Sequence, residues 1–106
     1  MNKKTVLVTG ASRGIGRAIA LAFAKEGYHV FLNCNHSVIQ LEKVRAEIEE
    51  LPNASCDMVI GDVGNPDHVE KMFKSIYKKC DCLDVLVNNA AIEICSDFFD
   101  KNSRRT

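Results

Sequence analysis

Three glycines that follow a short apolar segment are the most informative residues of this chain. Gly10, Gly14 and Gly16 come directly after the segment Thr5–Val8 and open an apolar helical pattern. At such a junction the first glycine allows a sharp turn, the second leaves the backbone open to a ligand, and the third permits close helix packing. Because N–H groups and the dipole at a helix start attract anions, the run predicts a binding loop for phosphate groups.

The spacing of these glycines narrows the kind of phosphate ligand. The pattern is Gly-x-x-x-Gly-x-Gly, which differs from the Gly-x-Gly-x-x-Gly of many two-domain dehydrogenases. No Gly-Lys-Ser or Gly-Lys-Thr follows, so the run is not a P-loop. The order strand, glycine loop, helix is typical of dinucleotide sites. The alternative interpretation is an ordinary tight turn between a strand and a helix.

Strand-like and helix-like patterns alternate along the chain. They predict strands over residues 5–9, 28–33, 56–60 and 83–88, and helices over residues 15–25, 38–51 and from 65 onward. With right-handed crossovers, this β-α-β-α-β-α-β series predicts an α/β fold. The predicted sheet is parallel and doubly wound, of the Rossmann type but incomplete, with strand order 3-2-1-4. We expect one domain over residues 1–100 and a polar tail over residues 101–106.

Two helix predictions are specific enough to be checked. Asn65 followed by Pro66 predicts a helix start, with the asparagine as the cap. In the first helix, the 3–4 spacing of apolar residues predicts a buried face made of Ile15, Ile19, Ala22 and Phe23.

Composition excludes several classes of function. The 106 residues carry 14 basic and 14 acidic side chains, a net charge of zero, so no nucleic-acid partner is predicted. No apolar run is long enough to span a membrane, and the amino terminus does not resemble a secretory signal. The five cysteines are irregularly spaced, so neither a metal site nor a disulfide framework is expected. These features predict a cytoplasmic protein that does not bind membranes.

Three stretches together resemble the short-chain dehydrogenase/reductase family. They are the run from Thr9 to Gly16, the pair Asp62-Val63 after the third strand, and Asn88-Asn89-Ala90-Ala91 after the fourth. The order and spacing of these stretches are similar to those in the single-domain branch of the family. Within that branch they are most similar to those in the reductases of 3-oxoacyl groups on acyl carrier protein. The resemblance extends over about residues 4–100. It implies hydride transfer between a nicotinamide cofactor and a carbonyl or alcohol carbon.

The resemblance also assigns the cofactor-binding residues. Along the pyrophosphate and ribose it places Gly10, Ser12, Arg13, Gly14, Ile15 and Gly16. It implies that Asp62 accepts a hydrogen bond from the adenine amino group while Val63 packs beside the ring. The alternative for Asp62 is a carboxylate that caps nearby N–H groups. Asn89, Ala90 and Ala91 would pass the adenosine ribose, with Ala91 standing where the family usually has glycine.

The end of the second strand favours NADP(H) over NAD(H). NAD-preferring relatives usually have a carboxylate there, at the position of Cys34, and this segment has none. Asn35, His36 and Ser37 would surround a 2′-phosphate, and Arg13 could add a charge-assisted contact. Two alternative interpretations remain open, namely Ser37 as the cap of the following helix and Arg13 as a solvated surface residue.

The same resemblance implies that the catalytic residues are missing. The family uses a tyrosine, a lysine four positions later, a serine and an asparagine, all beyond the fourth strand. Neither Tyr28 nor Tyr77 replaces that tyrosine, because position 81, four after Tyr77, is Asp. We therefore expect the cofactor-binding half of a carbonyl reductase, inactive alone, with 3-oxoacyl-acyl-carrier-protein as the implied substrate. The alternative is a non-catalytic NADP(H)-binding or interaction module that self-associates through its open sheet edge.

Overall fold

A computed structural model describes residues 3–89 of the chain. Its strands and helices alternate as expected. In chain order they are β1 (Thr5–Val8), α1 (Gly14–Lys25), β2 (His29–Cys34), α2 (Val38–Glu49), β3 (Ser55–Ile60), α3 (Pro66–Tyr77) and β4 (Val85–Val87). The tail predicted over residues 101–106 lies outside the described part, as does the end of the predicted domain.

The four strands form one parallel sheet in the order β3-β2-β1-β4. This confirms the predicted Rossmann-type topology. The carboxyl ends of all four strands meet at one edge, which is where ligands bind in such sheets. β4 is shorter than the predicted range 83–88. Just before Val85, the backbone N–H of Asp84 still donates to the carbonyl oxygen of Thr5 at 3.2 Å, whereas the N–H of Thr5 donates to a side-chain atom, Oδ2 of Asp84, at 2.7 Å.

The hydrophobic core is divided between the two faces of the sheet. On one face, α1 and α2 cover Val6, Val8, Val30 and Leu32. On the other face, Met72 and Ile76 of α3 pack with Leu7 and Phe31. Every residue of β1 and β2 is buried, as expected for central strands covered on both sides.

The predicted buried face of α1 is wrong at Ile15 and Ala22. The fully buried residues of α1 are Gly16, Ala20 and Ala24, whereas Ile15 is 67% exposed. These buried residues are four apart and small, so the helix axis lies close to the sheet. Large apolar side chains would hold it away, which is why their periodicity misplaces the buried face.

A polar network joins β2, β3 and the end of α3 at the edge of the sheet opposite the strand carboxyl ends. The buried His29 ring places Nδ1 2.7 Å from Oγ of Ser55 and Nε2 2.8 Å from Oδ2 of Asp57. Nζ of Lys79 donates to Oδ1 of Asp57 at 2.8 Å. Partial burial acts to raise the pKa of Asp57. The hydrogen bonds and charges of Lys79 and His29 outweigh it, so the pKa is lowered from its ordinary value of 3.8.

Replacing Asp57 by asparagine is expected to lower the free energy of unfolding at pH 7 by about 1 kcal/mol. A lowered native pKa means that ionised Asp57 stabilises the fold above the unfolded-state pKa and that this contribution disappears as the pH falls through the native pKa. The difference between wild type and Asp57→Asn should therefore shrink below about pH 4. Urea unfolding from pH 7 to pH 2 measures it. A gap that stays constant with pH would contradict the prediction.

Glu49→Gln is the matched control for this experiment. It breaks an exposed pair between Arg45 and Glu49 within α2. Such surface pairs contribute about 0.5 kcal/mol or less.

Within residues 3–89, no helix combines the length and the apolar character needed to cross a membrane. The cysteines of the same range are free thiols, namely Cys34, Cys56, Cys80 and Cys82. Cys95 lies outside the described residues.

Candidate functional site

A cleft of about 670 Å³ opens at the carboxyl ends of β1, β2 and β3. Segments distant in the chain meet here: the glycine loop, the turn after β2, the turn after β3 and the residue pair after β4. Its lining residues are Gly10, Ser12, Arg13, Gly14, Ile15, Asn33, Cys34, Asn35, His36, Ser37, Gly61, Asp62, Val63 and Asn89. Nearly all residues predicted for cofactor binding are therefore brought together in one place.

The glycine loop leaves the start of α1 open to the cleft. Gly10 and Gly14 both have φ of 61°, a backbone conformation that disfavours other residues. A Cβ atom added at Gly14 would meet nothing within 4 Å, so the space beside the first helical residue is open. At Arg13, the N-cap position, no side chain caps the helix, and its first turn contains no acidic residue. The first N–H groups of α1 thus have no anionic partner from the helix itself.

The start of α3 has the opposite arrangement. Oδ1 of Asn65 accepts hydrogen bonds from the backbone N–H groups of Asp67 and His68, at 2.9 and 3.3 Å. This confirms the predicted cap. Asp67 also places a carboxylate in the first turn of that helix. The contrast makes the start of α1 the better anion site of the two.

Gly16 supports the loop from behind and is not among the residues that line the cleft. A Cβ atom there would lie 2.0 Å from the carbonyl oxygen of Gly10 and 2.7 Å from Nδ2 of Asn89. The Asn89 amide itself donates to that Gly10 oxygen at 3.0 Å. The third glycine therefore lets α1, the loop after β1 and the segment after β4 pack together. Ala90 and Ala91, also predicted as site residues, lie outside the described residues.

The turn after β2 forms one wall of the cleft. Cys34 is buried, and burial raises the pKa of its thiol against the opposing effect of hydrogen bonds from Ser37. Asn35 and His36 are exposed and lie in contact, with Nδ2 of the amide 3.2 Å from Nε2 of the ring. None of these side chains carries a negative charge at neutral pH.

Ser37 contacts the glycine loop and does not cap α2. Its Oγ donates to Oγ of Ser12 at 2.6 Å, and no side-chain cap bond forms at the start of α2. Ser37 occupies the N-cap position of α2, as the alternative interpretation expects, but its side chain does not form the cap bond. The hydroxyl pair joins the two walls of the cleft.

Ser37→Ala is therefore expected to change the free energy of unfolding by about 0.5 kcal/mol or less. Asn65→Ala, which removes a true cap, is the matched comparison and should cost about 1 kcal/mol. Urea denaturation of both variants measures the difference. A larger loss for Ser37→Ala than for Asn65→Ala would restore the capping role of Ser37.

The structure of Asp62 agrees with both interpretations given above, a carboxylate that caps nearby N–H groups and a residue of the cleft. Its Oδ1 accepts the backbone N–H of Gly64 at 2.8 Å, which is the local capping interpretation. Its own backbone N–H donates to Nδ1 of His68 at 3.0 Å. The residue nevertheless lines the cleft together with Val63. The local bonds hold Asp62 in position and still leave its carboxylate at the cleft wall.

Arg13 is exposed at the mouth of the cleft. Among residues 3–89, no carboxylate forms an ion pair with it. Arg17, one turn further along α1, differs because both oxygens of the Glu47 carboxylate accept from its guanidinium. This pairing raises the pKa of Arg17. Of the two arginines, Arg13 at the N-cap position is therefore the one whose charge faces the cleft.

Comparison with known proteins decides the family. The family described as short chain dehydrogenase matches residues 4–105 of this chain. The chain belongs to the short-chain dehydrogenase family. Membership accounts for the combination of a Gly-x-x-x-Gly-x-Gly loop with the sheet order β3-β2-β1-β4.

Individual relatives agree with this family assignment. A 3-oxoacyl-acyl-carrier-protein reductase of Staphylococcus aureus is 46% identical over 91 residues, which is 84% of this chain and 36% of that protein. An uncharacterized oxidoreductase of Bacillus subtilis is 40% identical over 88 residues, 83% of this chain and 30% of that protein. The chain thus spans about a third of the length of these curated relatives.

Solved structures of a reductase and of an alcohol dehydrogenase share the fold. L-sorbose reductase from Gluconobacter frateurii, complexed with NADPH and L-sorbose, superposes with a TM-score of 0.76 at 36% identity, over 82% of this chain and 33% of that one. An alcohol dehydrogenase of the archaeon Thermococcus sibiricus, complexed with 5-hydroxy-NADP, has a TM-score of 0.73 at 35% identity, over 80% and 36% of the two chains.

The two tyrosines of this short-chain dehydrogenase chain do not line the cleft. Tyr28 packs edge-on against Phe23, with the ring centroids 4.9 Å apart, and Tyr77 stacks on Phe73 at the end of α3. Neither supplies a proton donor beside the glycine loop.

Sequence reasoning missed Asn33 and Gly61 as residues of the cleft. The available signal at Asn33 was an amide within an otherwise apolar strand, which implies a specific hydrogen-bond partner. At Gly61 it was a glycine at the carboxyl end of a strand, where close approach of another element is common.

Proposed function

We propose that this chain forms the NADP(H)-binding part of a short-chain oxidoreductase that reduces a carbonyl group. One observation carries the proposal: the uncapped start of α1 faces the same cleft as a β2 turn that lacks any carboxylate. The first feature suits a pyrophosphate, and the second suits a 2′-phosphate.

The residues present fit a dinucleotide in size and in donor chemistry. Open space beside Gly14 lets a phosphate approach the backbone, and Asp62 and Val63 offer an acceptor and an apolar contact for an adenine. Ser12, joined to Ser37, supplies hydroxyl groups between the two regions. We propose that these residues, with Gly10, Arg13, Ile15, Asn35, His36 and Asn89, hold the cofactor, and that Ala90 and Ala91 extend the site.

Support for NADP(H) over NAD(H) comes from charge. The turn after β2 contains no Asp or Glu that would repel a 2′-phosphate, and the guanidinium of Arg13 stands unpaired among the described residues. The NADPH and 5-hydroxy-NADP complexes of the structural relatives agree with this preference.

The cofactor, when bound, supplies the hydride for reduction of a carbonyl carbon. The chain contains no Tyr-x-x-x-Lys, so we propose that it positions cofactor but does not itself protonate substrate. The similarity to the Staphylococcus aureus reductase supports a 3-oxoacyl group on acyl carrier protein as the proposed substrate of the whole enzyme.

The test is a calorimetric titration of the 106-residue chain with NADPH and, separately, with NADH. We expect NADPH to bind at least about tenfold more tightly, the effect of one or two charge-assisted hydrogen bonds to the 2′-phosphate. Equal affinities would overturn the preference, and no binding of either would overturn the proposal. Oxidation of NADPH by the chain in the presence of a ketone would contradict the absence of catalysis.

A specific observation also favours self-association. β4 lies at an edge of the described sheet, and its Leu86 is 53% exposed. An exposed strand edge with an apolar side chain pairs readily with another chain. Analytical ultracentrifugation measures the association directly. A chain that is still monomeric at about 100 µM would contradict self-association through this edge.

A further inference from the structure

Asn33 is a buried amide at the carboxyl end of β2. The side chain is 2% exposed and lies between two strands. Its Nδ2 donates to the carbonyl oxygen of Val59 at 2.9 Å and to that of Gly61 at 3.1 Å. The carbonyl oxygen of Cys34 and Sδ of Met72 lie further off, at 3.4 and 3.7 Å. Because all of these atoms are acceptors, the amide nitrogen must face them, and this orientation of Asn33 is set by chemistry.

The backbone of Asn33 binds the glycine loop. Its carbonyl oxygen accepts the N–H of Ala11 at 2.9 Å. Next to it, the carbonyl oxygen of Cys34 accepts the N–H of Gly61 at 3.0 Å. A single residue thus connects the three segments that form the cleft: the loop after β1, the end of β2 and the turn that leads to Asp62.

The third segment passes close to α3. A Cβ atom at Gly61 would lie 2.7 Å from Sδ of Met72, so the chain already passes that helix at close contact. The Asn33 amide bonds the same backbone at the Gly61 carbonyl and also lies 3.7 Å from Sδ of Met72. Loss of these hydrogen bonds removes the side-chain donor from the carbonyl oxygens of Val59 and Gly61, so we expect the backbone before Asp62 to shift.

We propose that Asn33 is a positioning residue of the cofactor site. Through its amide and its carbonyl group it sets the distance between the glycine loop and the turn at Asp62, and thus the spacing of the phosphate-binding and adenine-binding ends of the cleft. The role in affinity rests on the proposed NADP(H) function. The positional role does not, and it can be measured without any ligand.

The experiment compares Asn33→Leu and Asn33→Asp with Thr5→Val. Leucine and aspartate keep the approximate size of the side chain but remove the N–H donors. Thr5 is the matched control, because it is equally buried in β1 and its Oγ1 donates to the carbonyl oxygen of Cys82 at 2.8 Å, at the opposite edge of the sheet. NADPH affinity and amide hydrogen exchange by NMR are measured for each folded variant.

We expect the Asn33 variants to bind NADPH at least about tenfold more weakly, with amide exchange of Ala11 and Gly61 faster by a similar factor. Thr5→Val should change the affinity less than about twofold. Faster exchange at Ala11 and Gly61 in a chain whose wild type does not bind NADPH would support the positional role and overturn the proposed function.

Two results would overturn the positional role. The first is unchanged exchange at Ala11 and Gly61; if NADPH binding is nevertheless weaker, Asn33 contacts the ligand directly. The second is that both Asn33 variants are unfolded at 25 °C while Thr5→Val is folded, which would make Asn33 a folding residue instead.

Discussion

Gly16→Ala is expected to lower the free energy of unfolding by about 3 kcal/mol or more, a large part of the stability of a small domain. The added Cβ would lie 2.0 Å from the carbonyl oxygen of Gly10, a backbone atom that cannot rotate away. Relief requires α1 to move off the loop, and the Asn89 amide, 2.7 Å from the same Cβ, would have to shift from its bond to Gly10. Urea denaturation measures the loss, and NADPH binding should disappear with it.

Gly27→Ala is the control for this substitution. Gly27 has φ of 87°, so alanine there is strained, but its Cβ would meet nothing within 4 Å. The expected loss is about 1–2 kcal/mol, from backbone strain alone. Equal losses for the two variants would show that the contact at Gly16 does not limit the packing of α1.

Arg13→Ala is expected to weaken NADPH binding by about tenfold to a hundredfold while leaving NADH binding within about threefold. The physical reason is that a 2′-phosphate gains a charge-assisted hydrogen bond from an unpaired guanidinium, whereas a 2′-hydroxyl gains little. Parallel titrations with the two cofactors measure the ratio, which is insensitive to small changes in protein stability.

Arg17→Ala tests whether loss of any arginine near the start of α1 would weaken NADPH binding in the same way. Arg17 has the same charge, lies one turn away and is paired with Glu47 outside the cleft. We expect the NADPH-to-NADH affinity ratio to stay within about twofold of wild type. If Arg17→Ala lowered the ratio as much as Arg13→Ala, the preference would come from the overall charge of the helix and not from a contact.

Fold topology was predictable because its signals are local. The glycine loop, the apolar strands and the Asn65-Pro66 helix start each lie within a few residues, and right-handed crossovers then leave one strand order. Parallel strands also bring their carboxyl ends to one edge, which is where the cleft lies. Asp62 and the turn after Cys34 were predicted from the resemblance to the short-chain dehydrogenase/reductase family.

The errors occur where the outcome depends on distant segments. Ser37 follows the pattern of a helix cap, but Ser12, 25 positions earlier, provides a better partner for its hydroxyl. The buried face of α1 depends on how near the helix comes to the sheet, which the spacing of large apolar residues does not encode. The role of Asn33 depends on the register of β2 against β3, which places Asn33 opposite Val59.

The strand order also has a consequence for how the protein assembles. His29 and Ser55, which pair across β2 and β3, are 26 positions apart, whereas Thr5 and Asp84, at the start of the β1–β4 pairing, are 79 apart. Closing the longer loop costs roughly 1 kcal/mol more chain entropy. We therefore expect β1, β2 and β3 to associate first during folding, with β4 joining an existing sheet. The hydrogen bond from Asn89 to Gly10 would then be among the last to form, so the cleft is completed only at the end of folding.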